Sequence, residues 1–222
     1  MPFKDKLISG EPLTSLETYQ VIQYLINQSR IVNNVTDDNK MKCEGCSAFI
    51  RNELYINDYF CSLDIVNTNS FGFDSDFKHY FSIVAFKTEK GAKAFVIDPV
   101  FEQFDTDKYP INGKEYNSRE AFKDEKFFNR MKEQRYFELS EDNINNYIGG
   151  LVNINNKLGN NLNQGEVIKY FEERIDKNRM NISDKDNLLI NEKEILIQFR
   201  QRLVEILKQH VQPGEDNTVK TR

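Results

Sequence analysis

Hydrophobic residues recur at helical spacing near the start of the chain. They lie three or four positions apart, and the residues of this stripe are Leu16, Tyr19, Ile22, Leu25 and Ile26. Apolar positions at this spacing share one face of an α-helix. Thr14 or Ser15 supplies an N-cap, and Glu17 places an acid in the first turn. The pattern predicts an amphipathic helix over residues 15–33, and a second helix begins near Gly45.

The pattern changes from helical to extended between residues 79 and 98. The segments His79–Lys87 and Lys93–Asp98 are rich in aromatic and β-branched residues, and the turn sequence TEKG lies between them. Such segments around a glycine-containing turn predict a β-hairpin, which Pro99 ends. His79 and Asp98 are each about ten residues from the turn centre. This register places the two side chains opposite each other at the open end of the hairpin.

The rest of the chain is predicted to be loop and helix. Residues 57–76 are rich in Asn, Asp, Ser and Gly, which favours loop. Helical spacing returns after residue 118 and is clear in the segments 165–176 and 191–211, before a polar tail at 212–222. No linker rich in Pro or Gly divides the chain.

These elements predict the α+β fold class and three parts of the chain. Residues 1–105 are expected to form the catalytic core, and residues 106–211 a helical part that packs on it and recognises substrate. Residues 212–222 are expected to be a disordered tail. The 222 residues are 39% hydrophobic and 12% aromatic, which is sufficient for a sizeable core.

Composition also limits the function. The net charge of −5 disfavours a nucleic-acid binder that works by neutralising phosphates. The N-terminal sequence lacks a signal-peptide core, and no apolar run is long enough to predict a membrane span. Three cysteines do not predict a disulfide scaffold. We therefore expect a reducing compartment, and the abundance of Lys, Asn and Ile is typical of AT-rich bacterial genomes, which indicates a bacterial cytoplasm.

Candidate chemistry centres on a cysteine, a histidine and an aspartate. Cys46 follows Gly45 at the predicted helix start, where unsatisfied backbone N–H groups and the helix dipole favour the nucleophilic thiolate. His79 is the candidate base, because the only other histidine, His210, lies where a cation would cap the last predicted helix. Asp98 would orient the imidazole. We predict a Cys46–His79–Asp98 triad.

Three short motifs resemble the protein-glutaminase family of protein-glutamine deamidases. They are Gly45-Cys46-Ser47-Ala48, His79-Tyr80-Phe81-Ser82-Ile83-Val84 and Val96-Ile97-Asp98-Pro99, and the resemblance covers about residues 15–105. It implies a papain-like or transglutaminase-like core, with a nucleophile helix packed on an antiparallel sheet. Cys46 would be the nucleophile, His79 the general base and acid, and Asp98 its orienting partner, with no cofactor or metal.

The same resemblance implies a reaction and a partner. The enzyme would convert glutamine to glutamate on a target protein and release ammonia. Deamidases of this kind are often bacterial effectors, which implies a host protein as substrate and entry into the host cell cytoplasm without a classical signal peptide.

Other interpretations stay open from the sequence alone. The same triad would also serve a cysteine protease, a transglutaminase or an acyltransferase. A zinc-binding interaction module is the alternative from another class, with Cys43, Cys46, Cys61 and His79 as a Cys₃His ligand set. A third interpretation is a binding protein that exposes the aromatic residues Phe127, Phe128, Tyr136 and Phe137, although we expect these side chains to pack on the core.

Overall fold

A computed structural model describes residues 2–37, 40–71, 73, 77–107, 109–111, 114–157 and 181–182. The helices predicted at 165–176 and 191–211, His210 and the tail at 212–222 lie outside these residues. The described helices are α1 (Pro2–Ser9), α2 (Ser15–Val32), α3 (Cys43–Ile56), α4 (Glu125–Gln134) and α5 (Glu141–Lys157). The described strands are β1 (Cys61–Asn67), β2 (Tyr80–Thr88), β3 (Gly91–Ile97), β4 (Tyr109–Ile111), β5 (Lys114–Tyr116), β6 (Tyr136–Glu138) and β7 (Asn181–Ile182).

Five of the strands form one antiparallel sheet in the order β6-β3-β2-β1-β7. The predicted hairpin is confirmed as β2 and β3, which are joined by a tight turn between Thr88 and Gly91. Gly91 has a φ of +95°, a conformation that glycine adopts without steric cost. The α+β fold class is also confirmed at this level, because the helices pack against an antiparallel sheet.

The predicted register of the hairpin is wrong by two residues. Ser82 pairs with Ile97, so the turn is centred between Glu89 and Lys90. His79 and Asp98 therefore are not paired across the ladder, and both lie just beyond its open end. The turn is centred later in the chain than predicted because Thr88 is the last residue of β2 and belongs to the ladder, not to the loop.

The prediction of loop over residues 57–76 is wrong for β1. This strand lies between β2 and β7 and is largely buried on both faces. Leu63 faces the cluster shared with α2 and α3, whereas the opposite face carries the buried Asp64 beside Val66. Polar residues on a buried face hide the alternation that marks most strands.

The two faces of the sheet are covered by different helices. One apolar cluster joins α1, α2 and α3 to residues such as Val84 and Phe86 of β2. The other joins Phe81 and Ile83 of the same strand to the aromatic residues of the segment that contains α4 and α5. Successive residues of β2 thus point into different clusters, as the alternation of side chains along a strand requires.

The second cluster crosses the predicted boundary between residues 105 and 106. Strand β6 pairs with β3, and three of the candidate surface aromatics, Phe127, Phe128 and Phe137, are buried in this cluster. Their packing on the core is therefore confirmed. The alternative of an exposed aromatic recognition surface is wrong for these three residues, and Tyr136 is half-buried against the other cluster.

Within the described residues, no helix has both the length and the apolar character needed to cross a membrane.

Candidate active site

His79 and Asp98 are brought together at the open end of the hairpin. His79 Nε2 lies 3.0 Å from Asp98 Oδ2, and both side chains are inaccessible to solvent. The hydroxyl of Tyr147, on α5, donates to the same carboxylate oxygen at 3.0 Å and lies 3.2 Å from His79 Nε2. The other carboxylate oxygen, Oδ1, accepts from the N–H of Val100 at 3.3 Å. Asp98 is thus held on both oxygens, which fixes the orientation of the imidazole.

Gln103 contacts the other nitrogen of the imidazole. Its side-chain amide lies 3.0 Å from His79 Nδ1, and the residue is only 4% exposed. Gln103 belongs to a 3₁₀ turn, Phe101–Phe104, that follows the Asp98-Pro99 corner, and its N–H bonds to the carbonyl of Val100 at 2.9 Å. The turn brings the glutamine back over the ring, so both ring nitrogens have polar partners.

The thiol that meets this imidazole belongs to Cys43. Helix α3 begins at Cys43, two residues before the predicted start at Gly45, and its N-cap residue Lys42 makes no side-chain capping bond. The Cys43 side chain interacts with that of His79, and its Sγ lies 4.0 Å from the carbonyl oxygen of Lys78. Cys43 is 9% exposed. The helix therefore places a largely buried thiol at its N-terminus, where its dipole favours negative charge.

Cys46 occupies a different environment one turn further along α3. Its side chain is 0% exposed, and its thiol donates to the carbonyl oxygen of Ser29 at 3.6 Å. Burial raises the pKa of Cys46 to about 12. Among the described residues, the side chains hydrogen-bonded to the imidazole nitrogens of His79 are those of Asp98, Tyr147 and Gln103, and the thiol that interacts with it is that of Cys43.

The structure thus brings together two members of the predicted triad and offers another thiol as the third. Cys46 was expected to open the helix, but α3 starts at Cys43, so Cys46 falls inside the helix and turns towards α2. A thiol in this position is a small buried hydrophobe with a weak donor. The geometry therefore does not support Cys46 as the nucleophile.

The charges around His79 favour its protonated form. Burial lowers the pKa of His79, but the charge of Asp98, the hydrogen bond to Asp98 and the contact with Cys43 together raise it to about 10. Burial and the neighbouring Asp98 carboxylate raise the pKa of Tyr147 well above its usual value, so the phenol stays a donor. The group is a buried imidazole held by a carboxylate, with a thiol beside it, an arrangement that suits nucleophilic catalysis.

The alternative zinc site does not converge in the described part of the chain. Cys61 lies in β1 and is buried in the apolar cluster with α2, and Cys46 is bonded to Ser29. Across the described ranges, no group of three or more His, Cys, Asp or Glu side chains is arranged to hold a metal ion.

Sequence reasoning named Cys43 only as a candidate zinc ligand, and it missed Gln103 and Tyr147. Cys43 had a usable signal, because it follows the polar loop directly and precedes Cys46 by one helical turn. Gln103 also follows Asp98 closely in sequence, in a segment that Pro99 turns. Tyr147 has no local signal, because its place in the site depends on how α5 packs on the sheet.

Comparison with known proteins adds no relative. The sequence matches neither a protein-family model nor a curated protein, and no solved structure matches the fold.

Proposed function

We propose that this protein is a thiol hydrolase in which Cys43 is the nucleophile, His79 the general base and acid, and Asp98 the residue that orients the imidazole. The observation that carries the proposal is the buried His79–Asp98 pair, whose atoms lie 3.0 Å apart, with the Cys43 side chain interacting with the imidazole. Cys46 keeps the role of a buried core residue. Tyr147 and Gln103 support the pair by holding the carboxylate and the second ring nitrogen.

The reaction starts with attack of the Cys43 thiolate on an amide carbonyl carbon. The carbonyl oxygen takes up negative charge, and the first N–H groups of α3, which the side chain of the N-cap residue does not bond, would donate to it. His79 Nε2 is held by Asp98 and Tyr147, so proton transfer would take place at Nδ1, the nitrogen that Gln103 also contacts. The imidazolium protonates the departing amine, which leaves a thioester on Cys43. Water activated by His79 then hydrolyses the thioester and restores the thiol.

The substrate class rests on the His79 and Asp98-Pro99 motifs of the resemblance to protein-glutamine deamidases, because the cysteine motif of that resemblance centres on Cys46 and not on Cys43. A glutamine side chain on a target protein would lose ammonia and gain a hydroxyl from water, which gives glutamate. The papain-like or transglutaminase-like arrangement belongs to the same proposal, and the contacts of α3 with β1 and β2 support it. The small exposed fraction of Cys43 also supports it, because the carboxamide of glutamine is carried on a slender, unbranched stem. A host protein as target of a bacterial effector remains part of this proposal.

Intact-mass analysis tests the nucleophile and the reaction together. Glutamine-containing peptides and candidate target proteins would be incubated with the wild type, Cys43→Ala and Cys46→Ala. We expect the mass change of amide-to-acid conversion with the wild type and with Cys46→Ala. We expect Cys43→Ala to lower the rate by about a thousandfold or more, because removal of a catalytic nucleophile leaves only binding and oxyanion stabilisation.

The matched cysteine pair makes the outcome decisive. Activity in Cys43→Ala together with its loss in Cys46→Ala would return the nucleophile to Cys46. Equal activity of both variants would end the thiol mechanism.

The same triad also supports a protease or a transglutaminase, and the products of one assay separate them. A protease gives fragments of the target, whereas a transglutaminase gives an adduct when a primary amine is supplied. A deamidase gives the glutamate product, without fragments and without an amine adduct.

A further inference from the structure

Glu102 lies beside the proposed catalytic group without contacting it. It precedes Gln103 in the 3₁₀ turn and is only 8% exposed. Its Oε1 accepts from Arg30, at the end of α2, and its Oε2 accepts from Nε of Arg135 at 3.1 Å. A buried carboxylate is costly unless its partners are well placed, so two arginines around one acid form a specific arrangement.

Both arginines also hold the backbone that carries Asp98. Arg30 Nη1 donates to the carbonyl of Pro99, and the carbonyl of Arg135 accepts from the N–H of Asp98 at 2.9 Å. The corner between Asp98 and Gln103 is therefore fixed to α2 on one side and to the end of α4 on the other. Glu102 joins these two attachments through its carboxylate.

The same end of α2 contacts the helix that carries the nucleophile. The carbonyl of Ser29 accepts from the thiol of Cys46, and a Cβ atom on Gly45 would lie 2.2 Å from Asn33 Oδ1. Close packing of α2 on α3 thus occurs within one turn of Arg30. Through this turn, the position of α3 is coupled to the corner that holds Asp98.

We propose that Glu102 is a positioning residue that, through Arg30 and Arg135, sets the distance between the Cys43 thiol and the His79–Asp98 pair. This inference rests on the proposed function, because it assigns Glu102 a role in the reactivity of Cys43. The neutral amide of Glu102→Gln would leave both arginines without their charge partner, and the corner would no longer be fixed relative to α3. Displacement of a reacting group by about 1 Å can cost about a hundredfold in rate.

The test measures alkylation of Cys43 by iodoacetamide from about pH 5 to about pH 9, with peptide mapping to assign the cysteine. It compares the wild type with Glu102→Gln and with Asp105→Asn, which removes the nearby, more exposed ion pair between Asp105 and Lys132. We expect Glu102→Gln to lower the rate of Cys43 alkylation at neutral pH by about tenfold to a hundredfold. Displacement of a reacting group by about 1 Å costs about a hundredfold, which sets the upper end of this range. The rate should be lower than that of the wild type across the whole pH profile. Asp105→Asn should stay within about twofold of the wild type, as for an exposed pair.

A purely structural role would change stability without changing this profile. Denaturant unfolding therefore accompanies each measurement, and Arg30→Lys, which retains the charge, serves as a milder variant if Glu102→Gln does not fold. An unchanged profile in a folded variant would overturn the inference alone. Unfolding of both variants would assign Glu102 to stability and overturn it too. A wild-type Cys43 no more reactive than free cysteine would overturn both the inference and the proposed function.

Discussion

Cys43 and Cys46 are the same residue type, one turn apart on one helix, and they differ in every property that governs reactivity. Cys43 is partly exposed at the first position of α3 and contacts the imidazole of His79. Cys46 is buried, faces a backbone carbonyl of α2, and burial raises its pKa to about 12. The comparison shows that a helix N-terminus activates a thiol only at its very first positions and only where a partner reaches it.

The two thiols also belong to one apolar cluster with Val100. Cys46 fills space beneath Cys43, so the second cysteine supports the position of the first by packing. Replacing it with alanine removes one buried sulfur, a loss of about 1 kcal/mol or more in typical cores.

Selective alkylation tests the difference between Cys43 and Cys46 most directly. At pH 7, a thiol with a pKa of about 12 is ionised to a fraction of about 10⁻⁵, so Cys46 should be inert in the folded protein. We expect iodoacetamide to modify Cys43 at least about a thousandfold faster than Cys46, because only the thiolate reacts and Cys46 is also shielded. Peptide mapping of briefly treated protein measures the ratio, and modification after denaturation is the control. Comparable rates in the folded state would contradict the assignment.

Removal of the Tyr147 hydroxyl tests a single hydrogen bond of the site, and its expected effect is smaller. Tyr147→Phe keeps the aromatic packing with Phe81 and Phe137 but removes the donor to Asp98. Loss of one buried hydrogen bond to a charged group costs about 1.5–3 kcal/mol, so we expect alkylation of Cys43 to slow by about tenfold. Alkylation of Cys46 should not change.

The exposed tyrosine Tyr55 offers the matched control for this variant. Tyr55→Phe should leave both rates unchanged. Equal effects of the two substitutions on the alkylation rates would contradict a role of Tyr147 in the site.

The pH dependence of stability tests the electrostatics of the buried His79–Asp98 pair. The pKa of His79 is raised from 6.5 to about 10 in the folded state, so its contribution is complete below about pH 6.5 and is lost as the pH rises towards 10. Buried Cys46 and Cys61, whose pKa values are raised to about 12, should lower stability only above about pH 9. We therefore expect the free energy of unfolding to fall between about pH 6.5 and 9 mainly through His79, as denaturant titrations at each pH would measure.

Asp98→Asn isolates this contribution. The variant loses the charge that raises the pKa of His79, so its unfolding free energy should vary less over the same range. A wild type whose stability rises between pH 6.5 and 9 would contradict the assignment of a protonated His79.

Local pattern was sufficient for α2 and for the hairpin, because each has a clear period and a recognisable end. It misplaced the start of α3 because Gly45 resembles a helix boundary, whereas the real N-cap, Lys42, provides no capping side chain. Because of this difference of two residues, the sequence predicted Cys46 as the nucleophile in place of Cys43. A helix boundary is the least certain part of such a prediction, and here it decides the identity of the proposed nucleophile.

The remaining parts of the site depend on tertiary packing. Tyr147 reaches Asp98 because α5 covers the sheet, and Glu102 meets Arg30 across 72 positions of sequence. Strand β1 is identified by its pairing with β2 in the structure, because its buried Asp64 interrupts the alternation of apolar and polar residues that marks a strand in sequence. Contacts of this range leave no periodic mark in the sequence.

The distance along the chain between Cys43 and Tyr147 has a consequence for biosynthesis. The ribosome completes α3 long before α5, and Tyr147 follows His79 by 68 positions. A nascent chain therefore displays its thiol before the helix that steadies the carboxylate exists. The hydrogen bonds of Tyr147 to the His79–Asp98 pair can therefore form only after α5 has been synthesised.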